Sequence, residues 1–399
     1  MIRKRVESLK SNKMSTEPSK PNVPLVLALS LTHFIHDIYS SFLSPLLPLI
    51  IQKLSLSLSE AGFLSTVMQV PSLMNPYIGK WADRISVRLF IVIAPGLTAA
   101  CMSLIGTAPN YGILVLLLFV AGVSVSLFHV PAPVMISKLS GGKIGRGMSF
   151  FMTGGELART LGPLAAVGAV SLFGLQGFYP VMIVGLGASV WLFVKFRGVS
   201  IKLETKEDTS VLQTWRQMRF LLVPLSGILL ARGFMHASMT AFLPTFIKAE
   251  TGNLWLGGSA LTLFEISGVV GVLCAGHFSD YFGRRRVLLI SLLGAPVALF
   301  FFAWLGGWAR LVALVFTGMG ILSTTPVMLA LVQEHAKGSP SAANGLFMMI
   351  SFIARSGIVV LVGFLADLVG LRNIYFISSF LGILSIPFVL MLPKDQQRT

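Results

Sequence analysis

Apolar residues in this chain neither alternate nor stripe one face of short helices. They run on for about 20 positions at a time and stop at short polar connections. A run of that length is what an α-helix rising 1.5 Å per residue needs to cross a hydrocarbon core about 30 Å thick. Twelve spans can be drawn, at 23–52, 60–82, 89–107, 112–136, 147–170, 175–197, 218–247, 257–282, 287–305, 310–334, 341–367 and 371–392. One longer polar stretch, Gly198 to Gln217, follows the sixth span and holds Lys202, Glu204, Lys206, Glu207 and Asp208. The pattern predicts an all-α membrane protein of twelve transmembrane helices in two pseudo-symmetric six-helix bundles. The bundles occupy 23–197 and 218–392, joined by a cytoplasmic linker at 198–217. A disordered cytoplasmic tail at 1–22, with Met1 or Met14 as its start, and a short tail at 393–399 complete the chain.

Internal repetition supports two halves. His36 is followed six residues later by Phe42-Leu43, and His236 six residues later by Phe242-Leu243. Phe151-Met152 with Ala158-Arg159 recurs as Phe347-Met348 with Ala354-Arg355. Gly79-x-x-x-Asp83-Arg84 recurs as Gly276-x-x-x-Asp280, followed by Gly283-Arg284-Arg285-Arg286. These matches keep nearly constant register, and parallel six-span halves around a central site are a known transporter architecture.

Composition sharpens this picture. Hydrophobic residues make up 54% of the chain and charged residues only 12%, about half of what a soluble surface uses. The net charge of +16 is not a nucleic-acid signature, because the Lys and Arg residues form no continuous stripe. Lys53, Lys248, Arg310 and Arg372 fall on one side of the membrane, Arg159, Arg232 and Arg355 fall inside spans, and the remaining 24 of 31 fall on the side of the termini. That is the positive-inside pattern, with both termini cytoplasmic. Cys101 and Cys274 lie in separate apolar spans as small core residues. There is no metal-spaced His/Glu set, no Ser/His/Asp arrangement, no Gly-x-Ser-x-Gly elbow and no filter segment. No enzyme activity, cofactor, metal or channel is therefore expected.

The Gly276-x-x-x-Asp280-x-x-Gly283-Arg284-Arg285-Arg286 loop resembles the cytoplasmic loop signature of the major facilitator superfamily. Gly276 is expected to let two helices approach, Asp280 to pair with a helix end, and the arginines to sit in the anionic inner leaflet. The copy at Gly79, Asp83 and Arg84 is degenerate, with Ser86 and Val87 in place of Gly and a basic residue. Further stretches are similar to one branch, the fosmidomycin-resistance-type exporters: Thr32-His33-Phe34-Ile35-His36-Asp37 with Pro45-Leu46-Leu47-Pro48, and Phe128-His129 followed by Ser140-Gly141-Gly142. Val130-Pro131-Ala132 replaces that branch's Pro-Glu, so its acidic residue after His129 is missing here. Gly155-Glu156-Leu157-Ala158-Arg159-Thr160-Leu161-Gly162-Pro163 resembles the Gly-Pro-ending motif of antiporters, an expected helix break marked by Gly155, Gly162 and Pro163. The resemblance implies proton-coupled export of a small organic molecule or drug from a bacterial cytoplasm by alternating access. The partners it implies are substrate, protons and membrane lipid, acting on a monomer in the inner membrane. Import of a small organic anion with protons, or a receptor that binds without transport, are the alternatives.

An ionisable group inside a span costs several kcal/mol unless paired or hydrated, which makes each one a site candidate. The candidates for proton coupling are Asp37, Glu156 and Glu265. Those for substrate binding are His33, His36, His129, Arg159, Arg232, His236 and Arg355. Asp37, Arg159, Arg232 and Arg355 lie roughly 18–21 Å in from the cytoplasmic ends of their spans, and Glu265 about 12 Å in from the outer end. The resemblance implies that spans one, four, seven and ten line the cavity and that five meets eight. Glu156 and Arg159 share a helix face, so Arg159 can exchange between Glu156 and Glu265. Asp37, the carboxylate on a cavity-lining helix, is the leading proton carrier.

Overall fold

The structure is a computed structural model that describes residues 21–75, 78, 87–141, 144–197, 211–336 and 340–393. Gly79, Asp83, Arg84, Gly142 and Lys143 lie outside the described residues, as do most of the linker and both tails. Among the described residues there is no strand. Fifteen α-helices follow in order: α1 (Val23–Ser40), α2 (Leu43–Leu54), α3 (Leu58–Gln69), α4 (Val87–Leu104), α5 (Tyr111–His129), α6 (Ala132–Leu139), α7 (Ile144–Gly177), α8 (Met182–Lys195), α9 (Val211–Thr251), α10 (Leu254–Phe282), α11 (Arg284–Trp304), α12 (Gly307–His335), α13 (Pro340–Val369), α14 (Leu371–Ile383) and α15 (Ser385–Met391). Ten helical stretches are long and apolar enough to cross a membrane, some of them joining two of these helices, as in Val23–Leu54 and Tyr111–Leu139. The other two expected spans fall on 58–74, whose continuation is not described, and on the shorter apolar helix Tyr179–Lys195.

Local chemistry explains the interruptions. Between α1 and α2 the Ser40 and Ser41 hydroxyls both donate to the Asp37 carbonyl, and Pro45 and Pro48 follow, each lacking a ladder donor. Pro131 separates α5 from α6, with Pro133 in the first turn of α6, and leaves His129 as the last residue of α5. The tight connections are capped: Ser57 and Glu60 form a reciprocal capping box, while Asn110 and Asn253 accept from the first turns of α5 and α10. Gly283 turns α10 into α11 at φ 92°, a conformation that glycine adopts without strain.

Large apolar side chains such as Leu172, Ile183, Ile290 and Trp308 face outward on long helices, as a lipid solvent requires. The buried core does not stop at the linker. One cluster joins Leu46, Leu47, Leu118 and Phe178 to Phe242, Ile358 and Val359. Helices before the linker meet those after it near the end of the molecule that carries the turns at 55–57, 252–253 and 370. There Asp367 of α13 accepts from the backbone N–H groups of Leu58 and Ser59 at 2.7 and 2.8 Å and from the Ser59 hydroxyl at 2.5 Å. A Cβ on Gly62 would stand 2.7 Å from the Val359 carbonyl oxygen, and one on Gly363 would stand 2.3 Å from that of Leu58. The Ser44 hydroxyl donates to the Thr240 carbonyl at 2.6 Å. Other hydrogen bonds between the two sets of helices run from the Thr66 hydroxyl to the Ser356 carbonyl at 2.8 Å and from Lys248 to Gln52 at 3.5 Å.

Candidate functional site

Three elements build the first part of the site. On α1, His33 and Asp37 are four residues apart and share a face, and the break after α5 sets His129 beside them. His33 Nε2 lies 3.2 Å from Asp37 Oδ2, His129 Nε2 lies 3.4 Å from the same oxygen, and the two Nε2 atoms are 3.3 Å apart. His36 reaches the other carboxylate oxygen, with Nδ1 at 2.8 Å from Asp37 Oδ1. Its Nε2 meets the Thr98 hydroxyl at 3.0 Å, which bonds on to Ser124. Aromatic stacking fixes the rings. His33 lies on Phe151 at 4.0 Å between centroids, and His36 lies on Phe128 at 4.5 Å. Glycine makes the room: a Cβ on Gly155 would be 2.6 Å from His33 Cε1. Asp37 therefore gathers three of the predicted histidines, although His36 sits next to it in sequence and its Cα–Cβ direction diverges.

The second part lies on α7 and α10. Arg159 is ion-paired to Glu156 three residues earlier, and its side chain is 54% exposed although it sits mid-span. Glu265 forms no hydrogen bond or ion pair among the described residues, yet it lies within electrostatic reach of Arg159 and Arg355. These charges share the space between the two sets of helices. Arg355 stands 5.9 Å from the centroid of the Phe352 ring, and the half-buried His236 has no hydrogen-bond partner for its ring among the described residues.

Arg232 is placed differently. It is 4% exposed and turned into α12, where it donates to the Ile321 carbonyl at 2.7 Å and to the hydroxyls of Thr324 and Thr325. It ties α9 to α12 with neutral acceptors and no carboxylate.

Two local expectations change. Helix α7 continues through Gly162 and Pro163, and its only non-helical dihedrals occur at Gly174, so the Gly-Pro pair is not a break. Its glycines serve contact instead: a Cβ on Gly162 would be 2.6 Å from Ser41 Cβ, and one on Gly154 would be 2.5 Å from the Ser30 carbonyl oxygen, which seats α7 against α1. Gly276 makes no close approach, since a Cβ there would meet nothing within 4 Å. Asp280 does pair, with Arg284 at 2.7 Å, and Arg284 also bonds Glu334 at 3.0 Å. Arg285 donates to the Leu390 carbonyl at 2.7 Å. Phe128, Phe151 and Glu334 join these clusters although no sequence signal marks them. Phe128 and Phe151 adjoin named motifs, but phenylalanine is so common here that its type carries no signal.

A bundle of membrane-length helices that meet at one end, with paired and unpaired charges at mid-depth between them, defines a polytopic membrane transporter rather than an enzyme. The chain belongs to the Major Facilitator Superfamily, whose family model matches residues 29–357 and 225–399. It is 26% identical over 397 residues to the fosmidomycin resistance protein of Escherichia coli, covering 96% of each chain. Two solved structures share the fold. A bacterial homologue of the human lysosomal transporter Spinster, inward-facing and occupied, superposes with a TM-score of 0.78 at 15% identity, covering 93% of this chain and 97% of that one. A D-xylose-proton symporter superposes with a TM-score of 0.72 at 16% identity, covering 92% and 96%.

Proposed function

We propose that this protein is a proton-coupled antiporter that exports a small organic molecule across a bacterial inner membrane by alternating access. Residues 23–197 and 218–392 rock as two bundles around the mid-span charges, with both termini in the cytoplasm. In that orientation the contacts at Asp367, Gly62 and Ser44 close the outer side, and the structure corresponds to an inward-facing state. The observation that carries the reading is Glu265, a carboxylate left unpaired at mid-depth within electrostatic reach of an arginine that already holds Glu156. A carboxylate whose arginine partner comes and goes binds a proton in one state and releases it in the other. Export is supported by the name of the Escherichia coli relative, a resistance protein.

The test has two steps. A susceptibility panel that includes fosmidomycin, run on deletion and overexpression strains, identifies the compound. Flux of that compound is then measured in proteoliposomes under an imposed pH gradient. Movement opposite to protons, lost in Glu265→Gln, is expected. Movement in the same direction as protons assigns symport, and binding without flux assigns a receptor; either result overturns the proposal.

A further inference from the structure

Three atoms converge in the cluster around Asp37: His33 Nε2, His129 Nε2 and Asp37 Oδ2. His33 Nδ1 lies 2.7 Å from the Phe151 carbonyl oxygen, and His129 Nδ1 lies 3.0 Å from that of Val125. A carbonyl can only accept, so each ring carries a proton on Nδ1 and, when neutral, presents a lone pair at Nε2. The third corner, Asp37 Oδ2, is an acceptor as well. With both rings neutral, three acceptors 3.2–3.4 Å apart call for a cation between them, either a metal ion or a proton carried on one Nε2.

The dimensions select the cation. Zinc-class ions bind imidazole nitrogen and carboxylate oxygen at about 2.0–2.2 Å in a tetrahedral array. Ligand atoms on such a tetrahedron are then roughly 3.3–3.6 Å apart, the bond length multiplied by 1.63. The observed edges match this without movement of any side chain. A point above the triangle's centre lies about 2 Å from all three corners, because the side divided by √3 is about 1.9 Å. The surrounding shell is also that of a metal site: both ligating rings donate their other N–H to backbone carbonyls, and the carboxylate's free oxygen is held by His36. Two imidazoles and one carboxylate leave a fourth position open, and the His129 side chain, 37% exposed, marks the path by which an ion arrives. Mg2+ and Ca2+, which take oxygen ligands, do not suit this donor set. Arg159, which is within electrostatic reach of Asp37, is neutralised by Glu156.

We propose that His33, Asp37 and His129 form a binding site for one divalent transition-metal ion of the Zn2+ class, with the fourth coordination position open to water or to a bound compound. This site goes beyond the antiport reading, which is carried by Glu265, and its test reads metal binding and not transport.

The test uses the full chain, purified without an affinity tag, in detergent or nanodiscs. Equilibrium dialysis with Zn2+ is expected to give one ion per chain, unaffected by excess Mg2+. Co2+ is expected to give the intense visible bands of tetrahedral coordination. His129→Gln and Asp37→Asn should each weaken binding by at least roughly 10- to 100-fold, whereas His277→Ala and His335→Ala, remote from the cluster, should not. His129→Cys keeps a ligand at that corner and should retain Co2+ with an added thiolate charge-transfer band, which separates loss of the site from loss of fold. Absence of stoichiometric Zn2+, octahedral Co2+ spectra only, or binding unaltered by His129→Gln would each overturn the proposal and leave a shared proton as the cation in the triangle.

Discussion

At the scale of single residues, charged side chains in spans differ in what holds them, and their substitutions should differ accordingly. Arg232 serves three neutral acceptors on α12 through its planar fork. A lysine presents a point charge and cannot reproduce that fan. Arg232→Lys is therefore expected to destabilise the protein by about 1–3 kcal/mol, seen as a lower melting temperature, with the KM of transport unchanged; a raised KM at unaltered stability would make Arg232 a substrate ligand. Among the described residues Asp37 supplies the only negative charge beside three histidines. Asp37→Asn should abolish proton-driven transport in vesicles while leaving substrate binding measurable, and wild-type flux would remove Asp37 from the mechanism. The sequence made most of this constellation readable, because an ionisable residue in an apolar run announces itself. It hid the grouping, since His129 is 92 positions from Asp37 and only the fold, with the break after α5, sets it beside α1. It also hid the difference between Arg232 and Arg159, which depends on side-chain direction and not on depth.

Among the helices, what matters is which ends touch. Span positions were legible because membrane-length apolar runs are bounded by asparagine, serine, glycine and proline signals. The role of small residues was not legible, because a glycine reads the same whether a neighbour is present or absent. Gly62 and Gly363 let α3 and α13 meet backbone to backbone at one end, while Gly276 at the far end of α10 faces open space. In an alternating-access cycle that open end must close, and Gly276 is then the residue with no side chain to obstruct it. Gly276→Leu is expected to leave the melting temperature and the substrate profile unchanged and to lower turnover by at least roughly 10-fold. A shifted profile at normal turnover would count against this role. Asp367 acts in the opposite sense, as an N-terminal cap supplied to α3 from a different helix. Loss of a cap costs about 0.5–2 kcal/mol, so Asp367→Ala should move the population towards the state open on that side by roughly 2- to 30-fold. Spin-label distances between α3 and α13 would read this directly, and an unchanged distribution would show that the cap does not bias the cycle.

On the scale of the whole molecule, coupling requires that one charge have different partners in the two states, since a ligand shifts an equilibrium only by its differential affinity. The present state supplies half of that requirement. Arg159 is bound to Glu156 on its own helix, and Glu265 stands unpaired on α10, the helix that α7 packs against near the closed end, where Gly258 meets Pro163 and Val167. In the proposed cycle the separation of α7 and α10 at mid-depth changes, and Arg159 is the side chain long enough to follow. An arginine at mid-depth in a span cannot be left without an acid cheaply, and Glu156 removes that penalty whenever Glu265 is out of reach. The expected outward-open structure has the Arg159 guanidinium within about 4 Å of the Glu265 carboxylate. Arg159→Gln and Glu265→Gln should each reduce transport to near background, and the exchange Arg159→Glu with Glu265→Arg should restore part of it, because the pair across the interface is re-formed with its sense reversed. If the two groups stay more than about 8 Å apart in the outward-open state, well beyond hydrogen-bonding range, and the exchange restores nothing, then Arg159 is held by Glu156 to bind substrate and the proton follows another carboxylate.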